Sequence, residues 1–132
     1  MQYETFLGQV QNRAKMSSLQ DAVRATRVVL ETLSRRIVPG EAKDLSAQLP
    51  SEIGRFLVSS DTVEKFSLEE FFERISREEN VDLPVALYHA RVVMEVLQEA
   101  VSPSEILDIR QQLPDEWQAL FEAGSKGKMP TT

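Results

Sequence analysis

The 132-residue sequence predicts an all-α protein made of two tandem, internally duplicated units of about four helices each, packed as one compact domain. Three observations carry that reading. Apolar residues recur three and four apart, as on one face of a helix. Prolines fall where helices should start or stop. The chain also matches itself at a nearly constant offset, the mark of a repeat. A shift of 64 places Arg27-Val28-Val29 on Arg91-Val92-Val93, Glu31 on Glu95, Pro39 on Pro103 and Gln48-Leu49-Pro50 on Gln112-Leu113-Pro114. Ahead of that stretch a shift of 65 places Glu4 on Glu69, Phe6 on Phe71 and Val10 on Ile75, so one residue was gained or lost near Met16 or Asn80.

The first helix of each unit shows one apolar face: Tyr3, Phe6, Leu7 and Val10, repeated as Leu68, Phe71, Phe72 and Ile75. Ser67 is a candidate cap, with Glu69 and Glu70 in the first turn where the helix dipole favours acids. The second helix, about Leu19–Val38 and Leu83–Val101, is the longest. Its apolar residues spread around most of the circumference in the second unit, which predicts a central position. Ser18 or Asp82 is placed to cap it, and Pro84 sits in its first turn, where a missing N–H costs nothing. Pro39 and Pro103 end that helix and open a short third one carrying Glu41 or Glu105 in its first turn. Pro50 and Pro114 then break the third helix and start a fourth, Ser51–Val58 and Asp115–Glu122, with Ile53, Phe56, Leu57 and Trp117, Leu120, Phe121 facing the core. The expected division is a first repeat over 1–58, a linker over 59–66, a second repeat over 67–123 and a disordered tail over 124–132.

Composition narrows the function classes. Apolar residues are 42% and charged residues 27%, the balance of a globular protein with a core. There is no cysteine, so disulfides, zinc–thiolate sites and thiol nucleophiles are excluded, in keeping with a reducing cytoplasm. No run approaches a membrane span, and the first ten residues carry no signal-like apolar stretch. Net charge is −6, and it is unevenly placed. Residues 1–64 hold eight acids and eight bases, whereas residues 65–132 hold thirteen acids and seven bases. With no basic stripe, nucleic acid is not an expected partner.

The phenylalanine-led first helix, the Ala-x-x-Arg-Val-Val-Leu/Met-Glu-x-Leu second helix, the Pro-x-Glu opening and the Gln-Leu-Pro-x-Glu break together resemble a family of small bacterial proteins catalogued as domain of unknown function 2267. The resemblance spans about Gln2–Ala123 and is most specific over Val38–Pro50. It implies a two-copy helical fold and brings no catalytic or ligand-binding residue with it.

Candidate sites are few. His89, the only histidine, stands beside Val85, Val92 and Val96 in the second long helix, where packing or an interface explains it better than catalysis. Arg27 and Arg91 occupy equivalent places on apolar helices, so each should need a carboxylate: Asp44 or Glu41 for Arg27, and Asp108 or Glu105 for Arg91. The rival reading makes the two arginines an anion pocket. Trp117, in register with Ile53, is either a core plug or an interface anchor. The Glu69-Glu70-Glu73 and Glu78-Glu79-Asp82 groups lack the ligand spacing and glycine of a calcium loop, and no serine has an identifiable base and orienting acid. No metal or cofactor is expected and no enzyme activity. The reading is a non-enzymatic cytoplasmic helical interaction or regulatory module, with a protein partner or a second copy as its target. The alternative is a small-molecule or lipid-binding domain with an apolar pocket between the two repeats.

Overall fold

The computed structural model describes residues 1–124, and among them there are eight helices and no strand. Helix α1 runs Tyr3–Arg13, α2 Leu19–Arg36, α3 Pro39–Ser46 and α4 Ser51–Gly54, the last tightening into a 3-10 turn over Arg55–Val58. In the second half α5 runs Leu68–Glu79, α6 Leu83–Ala100 and α7 Pro103–Gln111, followed by a 3-10 turn over Asp115–Trp117 and α8 over Gln118–Glu122. The long helices end one or two residues earlier than the apolar pattern suggests. Ile37 and Val101 are already extended, as are Val38 and Ser102, which the prolines after them keep out of helical geometry.

The turns that join the first and second helices are alike. Lys15 and Asn80 both take a left-handed conformation, with φ of 55° and 58°. Asn tolerates that region well, whereas Lys adopts it against its preference. Because Lys15 and Asn80 are in register, the one-residue length difference falls between Met16–Ser18 and Val81–Asp82. Ser18 caps α2 by accepting from Asp21 N–H, and Ser67 caps α5 by accepting from Glu70 N–H. Asp82 makes no such bond. The following Pro84 has no N–H to offer it, which removes one of the two donors a cap uses.

The core is continuous across both halves. Helices α1, α2, α5 and α6 form its centre, with α1 on α2 and α6, and α5 on α6 and α2. Phe6, Leu7, Val10, Val29 and Leu33 are buried from the first half, and Phe71, Phe72, Ile75, Val93 and Leu97 from the second. Burying a side chain of this size contributes about 1.5–3 kcal/mol each, so neither half keeps its apolar face without the other. Gly54 lets α4 close on α3, since a Cβ there would lie 2.7 Å from the Ser46 carbonyl oxygen.

The segment 59–66 expected as a plain linker is anchored. Phe66 is buried against Trp117, with ring centroids 6.1 Å apart. The Phe66 carbonyl accepts from Arg36 Nε at 2.8 Å, and Glu64 N–H donates to the Arg35 carbonyl. Of the expected tail, Gly124 is described: its carbonyl accepts from Arg91 Nε and its φ is 64°. Residues 125–132 lie outside the described part.

Candidate functional site

The polar groups of the two halves meet where α3 packs on α7. Gln112 at the end of α7 turns its Oε1 to the Val38 N–H at the start of α3, at 2.8 Å. Gln48 after α3 does the same for the Ser102 N–H at the start of α7, at 2.7 Å. Gln48 is in register with Gln112 and Val38 with Ser102, so the exchange is reciprocal, as across a two-fold axis. Each glutamine satisfies a helix-start amide that lacks an intrahelical partner.

This exchange explains an unusual cluster of acids. Ser102 and Glu105 form the first half of a capping box, with Ser102 Oγ accepting from Glu105 N–H. In the complete motif the glutamate side chain would return to the cap residue's own N–H. Gln48 already holds that N–H, and Gln112 holds the equivalent one of Val38. The Glu105 and Glu41 carboxylates lie beside each other instead, and an oxygen of each is buried with no hydrogen-bond partner. Carboxylate oxygens of Glu41, Glu105 and Asp108 lie within 4.8 Å of one another. Burial, and then the charges of Asp108, Asp44 and Glu105, push the Glu41 carboxyl above its ordinary pKa. The first turns of α3 and α7 supply partial positive charge to the same place, which is why such a group is tolerated there.

Three of the four acids expected to bind arginines, Glu41, Glu105 and Asp108, therefore face each other. Arg27 pairs with Glu31 at 3.2 Å on its own helix, and its side chain is 43% exposed. It lies on the solvent side of α2, so it needs no buried counter-charge, and a partner four residues on is nearer than one on another helix. Arg91 is held by the Gly124 carbonyl and lies 6.0 Å from the centre of the Tyr88 ring. Among the described residues no ion pair joins Arg27 to Glu41 or Asp44, or Arg91 to Glu105 or Asp108. The two arginines are engaged separately, so they do not form the shared anion pocket of the rival reading.

His89 packs with its Nδ1 2.8 Å from Glu79 Oε1. Glu79 is 5% exposed and its second oxygen has no partner. A carboxylate oxygen accepts, so Nδ1 is placed to donate to it. Trp117 is fully buried, 5.1 Å from the Phe71 ring and 5.2 Å below the Arg36 guanidinium. It fills the core and presents nothing to a partner.

Sequence reasoning passed over Arg36 and Arg13. Arg36 is 6% exposed, stacked on Trp117 and bonded to the Phe66 carbonyl. Burial lowers its pKa, with Glu116 opposing the shift. Arg13 grips Glu99 with two nitrogens, at 2.7 and 2.8 Å, and Glu95 at 2.7 Å. Those bonds hold its charge more firmly than an ordinary guanidinium's. The available signal was charge: Arg13 and Arg35 stand in register with Glu78 and Glu99.

On the outer side of α7, Leu107 is 54% exposed beside a shallow hollow lined by Gln98, Pro103, Ile106, Leu107 and Arg110. In the first half its place is taken by Lys43. No helix among the described residues is long and apolar enough to cross a membrane. Fold and junction together define a small all-helical protein whose converging polar groups are acids and amides. The family described as "Uncharacterized conserved protein (DUF2267)" matches residues 3–120, and the chain belongs to it. No curated protein matches the chain.

Proposed function

We propose that this protein is a non-enzymatic cytoplasmic helical interaction or regulatory module, descended from an internal duplication, that works by protein–protein contact through the outer face of α7. The observation that carries this reading is Leu107. A leucine more than half exposed, beside an apolar hollow, stands where the other half has a lysine. Single exposed apolar residues are ordinary, but this one replaces a charge at an otherwise matching position. Among the described residues the convergent groups elsewhere supply no nucleophile with a base and an orienting acid, which supports a binding role over a catalytic one.

The test is native mass spectrometry of protein purified from its own host, wild type beside Leu107→Lys. The expected wild-type result is a complex with another protein or with a second copy, lost in Leu107→Lys while thermal stability changes by no more than about 0.5 kcal/mol, as for a surface substitution. A complex that survives Leu107→Lys would sink the assignment of this face. A small-molecule adduct on a monomer would favour the ligand-binding alternative.

A further inference from the structure

The contacts between the halves come in two kinds. The first kind is symmetric: Phe6 and Phe71, Val10 and Ile75, Val29 and Val93, and the two reciprocal glutamines are alike or identical in register. Nothing in that set prevents a first half from docking on another first half. The second kind is not symmetric. Arg13 of α1 pairs with Glu99 of α6 at 2.7 Å, and Arg35 of α2 pairs with Glu78 of α5 at 3.1 Å. Arg13 is in register with Glu78, and Arg35 with Glu99. These are therefore the same two contacts seen from either half, with the polarity reversed.

We infer that the contact face of each half is charge-coded, so that a first half accepts only a second half as its partner. Two first halves would set Arg13 against Arg35 twice over. Two second halves would set Glu78 against Glu99 twice over. Like charges placed directly opposite reject the wrong partner as well as losing the right one. The occupant of this face is the chain's own other half. A second copy can engage it only by exchanging unlike halves. Part of the charge imbalance between the halves thereby has a structural cause.

The experiment uses the full chain. Arg13→Glu with Arg35→Glu makes both faces acidic, and Glu78→Arg with Glu99→Arg makes both basic. Each double variant is expected to melt roughly 5–10 °C below wild type, the size of a one-to-few kcal/mol loss in a chain of this length. The quadruple variant should recover at least half of that loss. Recovery stays partial because Glu95, which also accepts from Arg13, loses that donor. Mixed together, the acidic and basic double variants should form a one-to-one dimer of twice the 15.0 kDa chain mass, read by native mass spectrometry, while neither dimerises alone. Unchanged melting of the doubles, no recovery in the quadruple variant, or a mixture that stays as separate monomers would each overturn the inference. A folding defect unrelated to charge fails the recovery arm, so it cannot pass as support.

Discussion

Ile53 and Trp117 stand in register near the ends of the two halves, and neither is reached by solvent. Ile53 closes a local corner, carried by α4 where that helix packs on α3 and on its own 3-10 turn. Trp117 gathers groups from distant parts of the chain: Phe66 of the connecting segment, Phe71 of α5, and Arg36, which reaches over from α2. One pattern of helices thus supports two kinds of corner. The first is carried by helices of its own half, and the second draws on both halves and the segment between them. The connection is therefore part of the second half's core.

The largest expected effect follows from that contrast. Trp117→Ala should cost about 3–5 kcal/mol, and Ile53→Ala about 2–4, within the range for large-to-small core changes. Urea denaturation of the two variants measures both. Trp117→Phe should recover most of the loss, because the indole N–H is buried without a partner and nothing is gained by keeping it. If Ile53→Ala proved the costlier change, the distinction between the corners would fail.

The α3–α7 junction is where the halves should behave alike. Gln48→Ala and Gln112→Ala each remove one acceptor from a helix-start amide, so each should cost about 1 kcal/mol, the usual size for a lost cap. Thermal melts of both variants read this directly. Clearly unequal costs would show that the reciprocal geometry is not matched by reciprocal energetics.

Periodicity and proline placement made the eight helices legible, because those signals act within a few residues of where they are written. The self-match aligned the two glutamines, but their role depends on α3 meeting α7, and no local pattern states that. The expected arginine pairs failed for a related reason. An apolar helix predicts a buried partner for Arg27, yet Arg27 lies on the exposed side of that helix and Glu31 is one turn away. Arg13 and Arg35 lie on different helices, and their opposition to Glu99 and Glu78 is visible only once the halves are docked. A Trp suits both a core and an interface, and only the neighbours of Trp117 decide between them.

The smallest expected effect tests whether the acids at the junction are a burden there. The folded protein holds the Glu41 carboxyl above its ordinary pKa of 4.5 through burial and the nearby Asp108, Asp44 and Glu105. The α3 dipole acts the other way. A carboxyl raised on folding binds more protons in the folded chain than in the unfolded one between the two values. Stability should therefore fall as pH rises through that window, and the full penalty should be present above it. Glu41→Gln removes the charge, so it should stabilise the protein at neutral pH by a few tenths to about 1 kcal/mol, the scale of partly solvated charge interactions. That gain should shrink as pH falls and vanish below 4.5, where the unfolded wild type is protonated as well. Added salt should shrink it at neutral pH by screening the neighbouring carboxylates. Thermal melts of both proteins across pH measure the difference. A gain that is the same at every pH would mean that shape or hydrogen bonding, not the crowding of charge, distinguishes the amide from the acid at this junction.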